Sequence, residues 1–253
     1  MIKFENLEVT GFVPAIRGMR NPMNSWERTD SEQFCNIEEK NGEQSADIYV
    51  EIGPNDDKLM LQLAKGGPVH AKYRRMIVVY VDIVAPLYWW KEFDTYKVGT
   101  VANSCSTMHK IAAKEFGVED FSVEHLIKDE DICGIGLGYA SKEILTGVES
   151  TEIIKLSPFE VFDLQLTMLN HVRKLYLEHK SKEYWWQMIQ LLPSSYNQRR
   201  TVMMNYEVLT NIYTSRKGHK LDEWRDFCRW IEGLSYAAGV IFQEKEIANE
   251  HTV

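Results

Sequence analysis

The sequence predicts an α+β fold, a β-sheet flanked by long helices, on three observations. MIVVYVDIV at 76–84 is dense in β-branched residues and too hydrophobic for a half-wetted edge, so it reads as a central strand. Ser157-Pro158-x-Glu160 combines an N-cap, a proline at the first helical position and a capping-box glutamate. It opens a helix reaching Lys180, with Phe159, Phe162, Leu166, Leu169, Val172, Leu175 and Tyr176 on a broad apolar face. The stretch from Leu192 to Trp224 reads as the start of a helical hairpin. Pro193 breaks what precedes it, Ser195 and Gln198 form a capping box, and a helix starts near Tyr196 with the stripe Val202, Tyr206, Leu209, Tyr213. Gly218 closes it as a left-handed cap, and Leu221 opens a second helix that buries Trp224, Phe227, Cys228, Ile231 and Leu234.

The other elements follow in order. Residues 5–13 read as a short strand, followed by a polar, glycine-containing region to about residue 45. ADIYVEIG at 46–53 is a second strand, and DDKLMLQLAKGG a short helix capped by Asn55 and stopped at Gly66 and Gly67. A loop carrying His70 and the basic run Lys72, Arg74, Arg75 precedes the central strand. That run either faces an anion or is a solvated strand entry. Pro86 ends the strand, and Trp89, Trp90 and Phe93 lie at helical spacing beyond it.

Asn103, Ser104, Cys105, Ser106 and Thr107 are small hydrogen-bonding groups before a helix expected at MHKIAAKEF. They form either an anion cradle or an ordinary N-cap run headed by Ser106. Cys105 has no obvious base beside it. Between Gly117 and Lys155 the chain reads as short helical pieces, VEDFSVEHLI and SKEILTGV, with GIGLG as a turn rather than a dinucleotide motif. A short helix after Lys182 carries Trp185, Trp186, Met188 and Ile189, and the tail helix ends near Phe242.

With 253 residues and 44% hydrophobic content the chain can bury a sizeable core, and a net charge of −8 argues against duplex nucleic acid and membrane surfaces as partners. Cys35, Cys105, Cys133 and Cys228 lack metal-ligand spacing, MIKFENLEV has no signal-peptide core, and the apolar runs fall far short of the ~20 residues that cross a bilayer. Reduced thiols, a cytoplasmic location, no membrane partner and no metal site are expected.

Packing does not require the polar groups around residues 205–216. Asn205 and Arg216 are eleven residues apart, which on one helix places them within about 20° of each other, and Asn211 projects from an adjacent side. Arg216 either completes the helix dipole or joins the amides in a ligand cleft. The order Leu192-Pro193, tyrosine, Asn205, Asn211, Arg216, His219 and a tryptophan-containing helix resembles the C-terminal half of the flavin-dependent thymidylate synthases. The likeness covers residues 56–110 and 190–235, with residues 117–155 read as an insertion in a single domain spanning 1–253.

The resemblance implies a mixed β-sheet flanked by long helices, a homotetramer, and sites for FAD, dUMP, methylene-tetrahydrofolate and NADPH. By position it assigns His70, Lys97, Asn205 and Asn211 to the cofactor. Glu92, Asn103, Ser106 and Arg216 go to the nucleotide, with Arg216 as the catalytic group that holds and polarises the pyrimidine. The chain departs from the family pattern at Thr95, Tyr96, Met108 and Glu207, where the family carries positive groups, and at Glu92, where it carries glutamine. A carboxylate at 92 is unfavourable beside a nucleotide unless Lys91, Lys97 or Arg216 neutralises it. Two functions follow. One is a divergent flavin-dependent enzyme transferring a methyl or hydroxymethyl group to dUMP, and the other a non-catalytic oligomer that binds or sequesters a nucleotide.

Overall fold

The computed structural model describes residues 2–40, 43–142 and 149–242, with side chains outside 36–47 and 137–154. The elements run β1 (Lys3–Thr10), α1 (Phe12–Arg20), β2 (Glu32–Lys40), β3 (Glu43–Glu51), α2 (Pro54–Lys65), β4 (Val78–Pro86), α3 (Leu87–Phe93), β5 (Thr100–Ser104), α4 (Glu130–Cys133), β6 (Ile135–Lys142), β7 (Glu149–Leu156), α5 (Pro158–His179), α6 (Lys182–Leu191), β8 (Asn197–Asn205), α7 (Tyr206–Arg216), α8 (Asp222–Glu232) and α9 (Ala237–Val240). They group into two compact units. Among the described residues, one comprises those within 85–88 and 105–198, the other those within 2–84, 89–104 and 199–242. No described helix is long and apolar enough to cross a membrane.

The second unit holds a four-stranded sheet of order β1-β4-β8-β5, so the strand expected to be central has a neighbour on each side. β1 and β5 pair antiparallel with β4 and β8 respectively. Alternation decides the faces. Val79, Val81 and Ile83 of β4 and Val202 and Met204 of β8 are buried, under a layer that includes Trp89, Trp90, Trp224 and Phe227, all essentially without solvent exposure. On the opposite face Asp82 accepts from Thr201 Oγ1 at 2.5 Å and Asn6 Nδ2 at 2.9 Å, which together hold its carboxyl below the usual range. The ribbon β2–β3 is a separate antiparallel pair in full register from Glu32↔Glu51 to Lys40↔Glu43.

The first unit packs α5 and α6 around Phe116, Phe121, Phe162, Leu166, Leu169, Val172 and Met188. Its α5 begins with the expected box: Ser157 Oγ accepts from the Glu160 amide at 3.3 Å, and Glu160 Oε2 accepts from the Ser157 amide at 2.7 Å. Ser157→Ala is expected to lower stability by about 1 kcal/mol, measured as a urea midpoint shift at unchanged m-value.

Several expectations are corrected. Residues 197–205 form β8 rather than the first turns of a helix, and the helix starts at Tyr206. Gly218 has no positive φ; Gly67 at +82° and Gly99 at +78° do. The region after residue 11 contains α1 and β2. α2 is capped at Gly53, with Pro54 in its first turn, rather than at Asn55. Residues 105–113 form turns instead of a helix, and GIGLG lies in β6, which pairs with β7 from Ile135↔Leu156 to Lys142↔Glu149. Of the expected pieces at 118–127 and 141–148, the first holds only a 3-10 turn at Val118–Asp120; of the second, Ser141 and Lys142 end β6 and the rest lies outside the described residues. The tail helix ends at Glu232, with α9 a separate short turn.

Candidate functional site

Helices α3, α7 and α8 bring one cluster of polar and aromatic groups together. Arg216 ends α7, where a cation is favoured by the helix dipole, and its guanidinium is held on three sides. Nη1 donates to Glu92 Oε2 at 2.8 Å, Nε donates to the Tyr96 hydroxyl at 2.9 Å, and Cζ lies 4.7 Å above the Trp224 ring. Trp224 is fully buried and its Nε1 also donates to Glu92 Oε2, at 3.0 Å. His219 Nδ1 accepts from the Leu221 amide at 3.2 Å, and its Nε2 lies 3.6 Å from Glu92 Oε2, beyond hydrogen-bond range. Side-chain exposure is 20% for Arg216 and 36% for Glu92, so the pair meets solvent without being free in it. Arg216 is therefore the group that neutralises Glu92.

A second pair of the same design lies beside the same helix. Arg200 Nη1 donates to Asp94 at 2.7 Å, with its Cζ 4.2 Å above Trp90. Each arginine is thus charge-compensated and stacked on an indole. Such an arrangement fixes the guanidinium plane and reduces its pull on a distant anion.

The remaining candidates are less closely gathered. Asn205 is the N-cap of α7, with Oδ1 accepting from the Val208 amide at 2.9 Å, so it stands outside the helix rather than on a shared face with Arg216. Their Cα atoms are separated by about eleven helical rises, roughly 16 Å along the axis. The Asn205 side chain packs on Gly99: a Cβ there would lie 2.5 Å from Asn205 Nδ2, and the positive φ further restricts the position to glycine. Lys97 is exposed two residues before Gly99, and Asn211 is exposed on α7. His70 is exposed in the turn after α2, against Gly66. Asn103 lies on the edge strand β5 opposite Thr201. Ser106 belongs to the other compact unit and accepts from the His109 amide at 3.0 Å inside a turn, so no helix N-terminus stands behind it.

Sequence reasoning did not assign Tyr96 and Trp224 to the cluster. Only a helix that returns after the Gly218 turn could bring Trp224 under Arg216, although both residues lie within the stretch that carries the resemblance.

No family model matches the chain, and no curated protein is similar to it in sequence. Its backbone, however, is similar to solved structures along nearly its whole length. Thymidylate synthase X from Helicobacter pylori, solved with FAD and dUMP, is 17% identical with a TM-score of 0.60, covering 96% of this chain and 98% of that one. A second structure of the Helicobacter pylori flavin-dependent enzyme with FAD and dUMP is 18% identical with a TM-score of 0.58, covering 95% and 99%. The UMP/dUMP methylase PolB from Streptomyces cacaoi, bound with 5-Br UMP, is 10% identical with a TM-score of 0.53, covering 92% and 88%. The fold is that of the flavin-dependent thymidylate synthases, as the sequence resemblance implied.

Proposed function

We propose that this chain is a divergent thymidylate-synthase-like protein that binds a pyrimidine nucleotide at the Glu92–Arg216 pair. The observation that carries the reading is the guanidinium clamped between Tyr96, Trp224 and Glu92 at the end of α7. A compensated guanidinium beside a carboxylate suits the edge of a neutral pyrimidine, where a ring carbonyl accepts from Arg216 and a ring N–H donates to Glu92. Donation to the carbonyl also stabilises negative charge that develops on it. Support comes from the fold, which is shared with proteins solved with dUMP or 5-Br UMP.

A second reading, flavin-dependent one-carbon transfer to dUMP, is favoured by the two relatives solved with FAD. It places His70, Lys97, Asn205 and Asn211 toward FAD, Asn103 and Ser106 toward the nucleotide, and calls on NADPH and methylene-tetrahydrofolate. A single domain carrying residues 117–155 as an insertion, a homotetramer and a cytoplasmic location belong to this proposal as well. Thermal-shift titration with UMP and dUMP tests the first reading, which predicts saturable stabilisation that follows ligand concentration. Absence of any shift with either nucleotide removes it. Flavin absorbance in the purified protein supports the second reading, and a colourless protein indifferent to added FAD removes it.

A further inference from the structure

A flavin dinucleotide carries a pyrophosphate, and an open helix N-terminus is the usual backbone site for such an anion. At the start of α7 three backbone amides are already engaged. The Asn205 amide donates to Gly99 O at 3.2 Å, the Tyr206 amide to Ile77 O at 3.0 Å, and the Val208 amide to Asn205 Oδ1 at 2.9 Å. Glu207, in the first turn, supplies the negative charge that the helix dipole favours. Its Oε1 is 4.0 Å from Arg75, and its Oε2 is buried without a hydrogen-bond partner. Elsewhere in this unit Arg200 is matched to Asp94, Arg216 to Glu92 and Arg20 to Asp56, whereas Arg74, buried in the Lys72–Arg75 turn that packs on α7, keeps its Nε without a hydrogen-bond partner. A pyrophosphate at this end would meet the Glu207 carboxylate, one oxygen of which is buried with no hydrogen-bond partner and the other only loosely matched by Arg75 at 4.0 Å. Partial burial strengthens that repulsion.

We infer that Glu207 closes the N-terminal end of α7 to the pyrophosphate of a flavin dinucleotide, so that the residues of this chain do not fit the cofactor its structural relatives carry. The inference is independent of the pyrimidine reading. It is tested with full-length wild type, Glu207→Gln and Glu207→Arg, titrated with FAD and, in parallel, with riboflavin, which lacks phosphate. Tryptophan-fluorescence quenching and flavin absorbance give the affinities.

Wild type is expected to purify without flavin absorbance and to show no saturable FAD binding. Glu207→Gln should gain at least tenfold in FAD affinity and Glu207→Arg more, with the gain falling as salt rises and riboflavin affinity unchanged. The near-isosteric glutamine keeps the test decisive should the arginine variant fail to fold. Flavin copurifying with wild type overturns the inference, as does FAD affinity in Glu207→Gln no higher than in wild type. Absence of nucleotide-dependent stabilisation in wild type would remove the pyrimidine reading and leave this one standing.

Discussion

Arg216→Ala is expected to weaken pyrimidine-nucleotide affinity on the order of 100-fold, about 2–3 kcal/mol, because it removes the donors proposed for the ring carbonyl. The effect on folding should be much smaller. Glu92 loses the Arg216 donor but keeps Trp224 Nε1 at 3.0 Å, and 36% of its side chain is open to water that can solvate the carboxylate. A partly exposed pair of this kind contributes about 1 kcal/mol or less. Arg216→Lys should restore charge without the planar fork, recovering stability but only part of the affinity, since a lysine cannot reach Tyr96 and Glu92 together with the ligand. Urea denaturation and thermal-shift titration separate the two quantities. An unchanged nucleotide response in Arg216→Ala would show that the guanidinium serves only to finish α7 and tie it to α3.

Asp56→Ala is expected to cost about 3–5 kcal/mol, the largest stability effect among these changes, because it leaves a buried guanidinium unpaired. Asp56 is fully buried and Arg20 is 3% exposed. The carboxylate accepts from Arg20 Nε at 2.6 Å, Thr29 Oγ1 at 2.8 Å, the Asp30 amide at 3.1 Å, and the Ser31 amide and hydroxyl at 3.2 and 2.7 Å. Arg20 in turn donates from its Nη groups to Ser25 O at 3.2 Å and Arg28 O at 2.9 Å. One ion pair thereby staples the loop between α1 and β2 to both α1 and α2.

The pH dependence follows with a definite sign. Burial raises the Asp56 pKa, but the hydrogen bonds from Ser31, Thr29, the Asp30 backbone and Arg20 outweigh it and hold the group below the ordinary value of 3.8. A carboxyl lower in the folded than in the unfolded state contributes stability that is present above the unfolded value and lost as pH falls through the folded one. Wild type should therefore lose this contribution below about pH 3.8, while Asp56→Asn, already weaker at neutral pH, should show a shallower acid limb. Urea midpoints measured from neutral to acid pH check this. Parallel acid limbs for the two proteins would mean that other carboxylates set the acid response.

Where the sequence misled, the cause is specific. Val202 and Tyr206 stand four apart, a spacing shared by a helical stripe and a strand face, and Ser195 with Gln198 imitates a capping box. The alternation of buried Gln198, Val202 and Met204 marks a strand only once β4 and β5 lie on either side. In β6 the glycines obscured an alternating Ile135, Leu137, Tyr139, and in α1 the buried Phe12, Ala15, Ile16 and Met19 carried a helical spacing that the surrounding polar residues hid. The cap of α2 was not legible at all. Its Asn55 and Asp56 amides donate to Asp30, some 25 residues upstream, and no local pattern announces such a partner.

By itself the sequence determined the α+β class, the strand β4, the capped start of α5, the buried side of α8 and the presence of a polar group set around Arg216. These are local matters, decided by periodicity, β-branching and cap chemistry within one or two turns. Only the tertiary structure decided which charges meet. Glu92 and Arg216 are 124 residues apart, and Arg20 and Asp56 are 36 apart. Whether a guanidinium is free for a ligand or already held by a carboxylate depends on the chain closing those separations, because attraction between charges acts through space while sequence pattern records only near neighbours.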